Sequence, residues 1–296
     1  MKKILVDLLP AMTLVAVVSF WAFAPASLTG NPWTLVATSA AIVAFVQALE
    51  CVAERHSGWR IDRREFATDL FYVVLSSSAI AWATNILAEQ PLMAAKQSLG
   101  ITTGWAMTLP FLAQVALVVV LVEFGQYWMH RLMHAWTPFW LTHAPHHHIT
   151  QLNAMKGYVG NPIELFLISL SVVALFDLPV TAVFCGINVL TVVSTFAHAN
   201  VRSNPPIWYS FVFTTIRHHS LHHSVAYDDT RCNFGNSLIL MDRIFGTFKD
   251  GESVVVGQDD RRRLSIREQF LFPFQPVVER WRARRAAATA PDRVAG

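Results

Sequence analysis

The sequence predicts an all-α fold, a polytopic bundle of four to six apolar helices carrying a histidine-rich cap on one face. Three observations predict it. Of the 296 residues, 53% are hydrophobic and only 15% charged, where soluble domains carry about a quarter charged residues. The apolar residues gather into runs near the ~20 needed to cross a ~30 Å hydrocarbon core. Finally, eleven of the twelve histidines fall between His130 and His223.

The apolar runs set the order of elements. They cover roughly 8–26, 33–50, 69–88, 108–129, 162–176 and 179–197. The last two are short and are separated by Asp177-Leu178-Pro179, so two full spans and a re-entrant hairpin both remain open. Lys2, Lys3 and Ala24-Pro25-Ala26 give the first run some character of a cleavable leader, but Asp7 interrupts it and an uncleaved span is the favoured reading. Beyond His198 the stretch Ile207–Ile216 is amphipathic and suits a membrane surface. Arg280 to Arg285 form a basic run suited to anionic headgroups, and the Ala-rich final residues are expected to be disordered. No linker divides the chain. The expected organisation is N-terminal spans over 1–107, a catalytic region over 108–250 and a polar tail over 251–296.

Orientation follows from basic residues, which concentrate in cytoplasmic loops. The loop after the second run holds Arg55, Arg60, Arg63 and Arg64, whereas the loops 27–32 and 89–107 hold only Lys96. The arginine loop is therefore placed in the cytoplasm. If 162–197 crosses twice or turns back, all the histidine clusters meet at that same face.

Composition also excludes. A net charge of +3 gives no reason to expect nucleic acid as a partner. Cys51, Cys185 and Cys232 are too far apart in sequence to form a CxxC pair, so neither a zinc ribbon nor a thiol redox site is indicated.

The histidines carry the chemistry. His130 and His134 stand at i and i+4, on one face of a helix. His143, His146 and His147 form an HxxHH pattern, as do His219, His222 and His223, and His198 stands alone. In a helical turn, i, i+3 and i+4 point three imidazoles at one place. These nine suffice for two metals with four or five ligands each. Imidazole suits iron, zinc, copper and nickel. Two iron ions are expected because iron can activate dioxygen, while zinc, able to occupy such a site in a purified sample, has no redox chemistry. His56 reads as an ordinary polar residue, and His148 and His218 extend clusters without fitting their spacing. Glu123 and Gln126, seven and four residues before His130, are candidate orienters of the metal-bound rings. Asn200, Asp228, Asp229, Asn233 and Asp242 are weaker ones, and Arg243 is a candidate partner of Asp242.

From residue 115 to 250 the chain resembles the fatty acid hydroxylase superfamily, also called the sterol desaturase family, of membrane di-iron oxygenases. The resemblance is carried by EFGQYWMHRLMH, WLTHAPHHH, Asn161-Pro162-Ile163-Glu164, HAN at 198–200, RHHSLHH and the run from Asn233 through Asp242 to Thr247. It implies transmembrane helices beneath a cytosolic metal-bearing cap, ligand roles for the nine histidines, and dioxygen-dependent hydroxylation or desaturation of a lipid. Three departures are noted: Glu123 where aspartate is frequent, His148 where serine is common, and Asn161-Pro162 in place of histidine-proline. None removes a ligand. No GxGxxG, iron–sulfur cysteine set or fused haem domain is present, so electrons are expected from ferredoxin or a b-type cytochrome with its reductase. The Ala-rich composition and MKK start lean toward a bacterial inner membrane and a polar lipid. The main competing reading is a histidine-rich metal transporter or sensor, which would place ionisable groups deep in several spans. A bis-histidine haem carrier is a lesser one, poorly served by adjacent HH pairs.

Overall fold

The computed structural model describes residues 3–258 and 261–289; Lys2 and the final residues 290–296 lie outside the described residues. Among the described residues it contains helices and two isolated bridges, and no β-strand. Helix α1 spans Lys3–Phe23, α2 Pro32–Val52, α3 Arg63–Ser98, α4 Phe111–Ala135 and α5 Thr137–His147. Helix α6 spans Pro162–Ser169, α7 Val180–His198, α8 Ile216–His222, α9 Ile239–Phe245, α10 Ile266–Leu271 and α11 Gln275–Thr289.

Local chemistry sets these boundaries. The Asn31 side chain accepts from the Trp33 amide, with Pro32 at the first helical position, and Asp62 accepts from the Glu65 amide at 2.7 Å. Both satisfy amides that a helix start leaves unpaired. Trp136, extended at φ −131° and ψ 121°, makes a sharp corner between α4 and α5, and Pro138 in the first turn of α5 costs no helical hydrogen bond there. Helix α3 runs through two π-helical turns, Ser76–Ile80 and Asn85–Glu89.

Five of these helices, α1, α2, α3, α4 and α7, are long and apolar enough to cross a bilayer. Exposed Phe23, Trp33, Trp82 and Leu112 on them are the surface that lipid covers. The chain is an integral membrane protein. Helix α7 sits at the centre and packs against α1, α2, α4 and α8. Its contact with α4 is close because position 186 is glycine: a Cβ there would lie 2.5 Å from Val118 Cγ1.

The fifth apolar run differs from expectation. Only 162–169 is α-helical; the chain then continues irregularly through a 3-10 turn at Val173–Leu175. It still reaches the far end of the bundle. Asp177 accepts from the Thr103 amide at 2.9 Å and from Lys96 at 2.5 Å, in the connection between α3 and α4. Glu164, at the other end, touches the histidines. An eight-residue helix covers about 12 Å, and the irregular stretch covers the remainder. Irregular backbone at membrane depth persists only where protein encloses it. Here Thr84 bonds Ser169 at 2.5 Å, and Gly125 leaves room for the Leu170 carbonyl. The amphipathic stretch at 207–216 is likewise less regular than expected, one helical turn at Ile207–Ser210 followed by extended chain.

The opposite end of the bundle is tied by polar contacts. Asn204 donates to Asp7, and the Ala154 and Asn200 amides both donate to Glu50 at 2.8 Å. Lys156, fully buried, is paired with Glu65 and with Asp69, the latter at 2.8 Å. Arg55 makes a bidentate pair with Glu252 at 2.6 Å, and His56 reaches the same carboxylate at 2.8 Å. Removing one partner of a buried ionic set costs about 3–5 kcal/mol, because the others stay charged and unpaired. The same end carries the arginine loop and all eleven clustered histidines.

The Arg55 guanidinium holds the Glu252 carboxyl down to about 2 from its ordinary 4.5, against the opposing effect of burial. A depressed carboxylate stabilises the fold above its unfolded pKa, and the contribution disappears as pH falls toward the folded value. The thermal midpoint of the parent protein in detergent is therefore expected to exceed that of Glu252→Gln at neutral pH. The gap should close progressively from pH 4.5 down toward 2; a gap independent of pH would contradict the pairing.

Candidate metal centre

Nine histidines converge in two groups. His130, His134, His143, His147 and His222 form the first; His146, His198, His219 and His223 form the second. Within each group one ring nitrogen per residue lies within 4.8 Å of all the others. All nine are buried. The two HxxHH patterns sit on the last turns of α5 and α8, and each sends one or two rings to one group and the remainder to the other. Helix α4 supplies His130 and His134, and the last residue of α7 supplies His198.

Hydrogen bonds fix which nitrogen each ring presents. His130 Nδ1 donates to the Phe234 carbonyl at 2.7 Å, His146 Nδ1 to the Val159 carbonyl at 2.6 Å and His222 Nδ1 to the Cys232 carbonyl at 2.8 Å. His198 Nδ1 donates to the Ser194 carbonyl at 2.8 Å. A carbonyl can only accept, so these rings carry their proton on Nδ1 and a bare lone pair on Nε2. His143 Nδ1 faces Glu164 Oε1 at 2.6 Å, which favours the same tautomer.

The consequence is electrostatic. His143 Nε2 lies 3.0 Å from His130 Nε2 and 3.0 Å from His147 Nε2. The first of these contacts sets lone pair against lone pair. His222 Nε2, buried among them, has no hydrogen-bond partner among the described residues. An unsatisfied buried acceptor costs about 1–3 kcal/mol. A cation at the common point turns each of these penalties into a bond. Burial also pushes His143 down to about 3 and His146 to about 4, so both rings are neutral ligands at physiological pH. The donor set thus fits two imidazole-bound metal ions.

The supporting residues differ from the expected ones. Glu123 is fully buried but accepts from the Ser237 amide at 3.0 Å, not from a histidine. Asp242 accepts from the amides of Phe234 and Gly235 at 2.8 Å and from the Thr247 hydroxyl at 2.6 Å. Both carboxylates therefore shape the 232–238 loop, whose carbonyls orient His130 and His222. Asn233, in the left-handed region at φ 54°, bonds the carbonyls of His218 and Lys249. Asn200 clamps the backbone of His56 through both its amide atoms. Gln126 is half-buried and makes no hydrogen bond to a histidine among the described residues. Asp228 is exposed and Asp229 pairs with Lys249.

Arg243 is not the partner of Asp242. Adjacent helical residues point to different faces, and Arg243 turns outward to the Phe211 carbonyl and over the Phe248 ring. His218 lies 3.4 Å from Asp250, His148 packs on Phe272, and His56 serves Glu252; none of them joins either group. Of the cysteines, Cys185 and Cys232 are buried, Cys51 is exposed, and all three are free thiols.

Glu164 is the residue sequence reasoning passed over as an individual. It closes a capping box with Asn161 at the start of α6 while its carboxylate meets His143. The available signal was the N-cap, proline and glutamate order of Asn161-Pro162-Ile163-Glu164. Gly160 makes room for it: a Cβ there would lie 2.3 Å from Glu164 Oε2. A separate cavity of about 460 Å³ lies between α1, α2 and α7, lined by Met12, Trp21, Thr38 and Asn188, and none of its lining residues belongs to either group.

Residues 115–247 match the fatty acid hydroxylase family. Over that stretch, which is less than half of the chain, the protein is similar to the fatty acid hydroxylase superfamily. Among curated relatives of that superfamily, the ornithine lipid hydroxylase OlsE of Rhizobium tropici is 29% identical over 215 residues, covering 70% of this chain and 64% of the relative. Human alkylglycerol monooxygenase is 33% identical over 46% of this chain and 31% of its own length. The Delta(7)-sterol-C5(6)-desaturase of Nicotiana tabacum is 30% identical over 50% of this chain and 52% of its own. The chain thus spans less than two thirds of each. No solved structure matches it. The stretch matched to the fatty acid hydroxylase family holds all nine converging histidines.

Glu164→Ala leaves the His143 Nδ1 proton without an acceptor. Losses of this kind typically cost 10–100-fold in metal affinity. A chelator competition on the purified variant is expected to show a drop of about that size; unchanged affinity would remove Glu164 from the centre.

Proposed function

We propose that this protein is a membrane-bound di-iron oxygenase that hydroxylates, or desaturates, a lipid with dioxygen and externally supplied electrons. The single observation that carries the proposal is the pair of histidine groups, five and four strong, with inward lone pairs at the end of an apolar bundle. The region 108–250 is the proposed catalytic unit, and the nine histidines are the proposed ligands. Iron, when bound there, supplies the activation of dioxygen needed to break an unactivated C–H bond.

The chain's own residues do the rest. Carbonyls 159, 194, 232 and 234 and the Glu164 carboxylate hold five rings in one tautomer and one orientation. The buried shell keeps bulk water from the centre. Hydroxylation consumes two electrons and two protons for each dioxygen, with one oxygen atom going to the lipid and the other to water. The electrons come from a ferredoxin or a b-type cytochrome with its reductase.

The substrate reading rests on the relatives, whose names give lipids: ornithine lipid, alkylglycerol and sterol. The bacterial relative, matched over 70% of this chain, favours a polar aminolipid of a bacterial inner membrane. The arginine loop 55–64 and the histidines share one end of the bundle, which the positive-inside rule places in the cytoplasm.

Three experiments test this reading. Lipid mass spectrometry of a host expressing the parent protein is expected to reveal a species one oxygen heavier, or two hydrogens lighter. His146→Ala should abolish it while remaining in the membrane, and retained product would refute the ligand role. The purified protein should carry two irons per chain and no haem absorption. For topology, in a background lacking Cys51, a membrane-impermeant thiol reagent should label Ser98→Cys on intact cells but Arg60→Cys only after lysis. The reverse pattern would invert the orientation.

A further inference from the structure

The two histidine groups are held by different parts of the chain. The first leans on Glu164 and on the 232–238 loop. The second leans on the turn 153–159, which offers the Val159 carbonyl to His146 and packs the backbone of Gly157 against His198. A Cβ on Gly157 would lie 3.1 Å from His198 Cε1 and Nδ1 and 3.2 Å from Ser194 Oγ.

That turn is anchored almost wholly by charged groups of two membrane helices. Lys156 is buried against Glu65 and Asp69 of α3. Asp69 also accepts from Asn153 Nδ2 at 2.8 Å, and Glu65 is paired outward with Arg263. From the other side Glu50, near the end of α2, takes the Ala154 amide and the Asn200 amide, two residues past His198. Two carboxylate-bearing helices thus grip both backbone segments beside His146 and His198.

We propose that Glu50, Glu65, Asp69 and Lys156 are positioning residues that set the affinity of the second metal alone, coupling α2 and α3 to it. The inference rests on the two-metal reading above. A lysine with two carboxylates buried at a helix end has a simpler role in stability, but stability alone would not distinguish one histidine group from the other. The geometry does. The contacts from this cluster toward the histidines lead to the 153–159 turn or to residue 200, and the others, Glu65 to Arg263 and Glu50 to Gln47, lead to neither group. In the first group, the fixed Nδ1 donors of His130 and His222 and the Nδ1 of His143 go instead to the 232–238 loop and Glu164.

The test counts metal. The parent and its variants are loaded with ferrous iron alone, without oxygen, and metal release to a chelator is followed. Gly157→Ala presses on His198 and leaves the ion cluster intact. The combination Lys156→Met, Glu65→Gln and Asp69→Asn removes all three charges together, so no lone charge is left buried. Each is expected to release one of two irons about 10–100-fold faster, with the other iron released at the parental rate. Gly160→Ala, which displaces Glu164, should weaken one iron as well, and joined with Gly157→Ala should weaken both. Adding Gly157→Ala to His219→Ala should cost nothing further, whereas adding it to His134→Ala should weaken the remaining iron. Parental release from both variants, or equal acceleration of both irons, overturns the inference. A parent chain holding fewer than two metals overturns the two-metal reading, and this inference with it.

Discussion

The site depends on an arrangement that is unfavourable without a cation. Four rings have their Nδ1 protons committed to backbone carbonyls, so their Nε2 lone pairs face inward from the start. A polar group buried without a partner is penalised, and here several are penalised together at two points. Much of the surrounding structure serves to hold those carbonyls still. Asp242 and Glu123 brace the loop containing Cys232 and Phe234, and Lys156 with its carboxylates braces the turn ending at Val159. Even the close packing of α4 on α7 at Gly186 serves the same end, since each helix carries histidines at its terminus.

The bilayer adds a second constraint. Ionisable residues within spans are expensive unless they pair or serve the bundle interior. Glu50, Glu65, Asp69 and Glu123 obey this by facing inward and binding amides or Lys156. Their placement converts an insertion cost into rigid support for polar segments that would otherwise be mobile at a membrane surface. Lipid-facing positions of the same helices stay apolar, with Phe23, Trp33 and Leu112 exposed.

Much of this was legible in the sequence, and the illegible part has a common cause. The apolar runs locate the five crossing helices to within several residues, because hydropathy reports directly on the solvent each segment meets. The i, i+4 pairs His130–His134, His143–His147 and His219–His223 each share a group because helical periodicity is local, whereas His146 and His222, at i+3, turn to the other group instead of to the same place. Contacts across the chain have no such signature. Glu123 has the right spacing from His130 to orient it, yet its carboxylate reaches Ser237, 114 residues away. Nothing in the sequence around Lys156 marks it for burial, yet it is fully buried. The 162–176 run, open in the sequence between a full span and a re-entrant hairpin, is α-helical only over 162–169, and a bond from the Thr103 hydroxyl to the Leu175 carbonyl, invisible to a hydropathy window, holds its far end.

The interleaving of the two histidine patterns has a consequence for biogenesis. The first group needs His222, and the second needs His198, His219 and His223. Neither is complete until α8 has left the ribosome, well after α4 and α5. By then the intervening chain has reached the opposite end of the bundle at Asp177 and returned through α7. On the proposed two-metal reading, capture of either cation therefore waits for the synthesis of α8. On the same reading, the two sites close only after the spans that carry most of their ligands have been made.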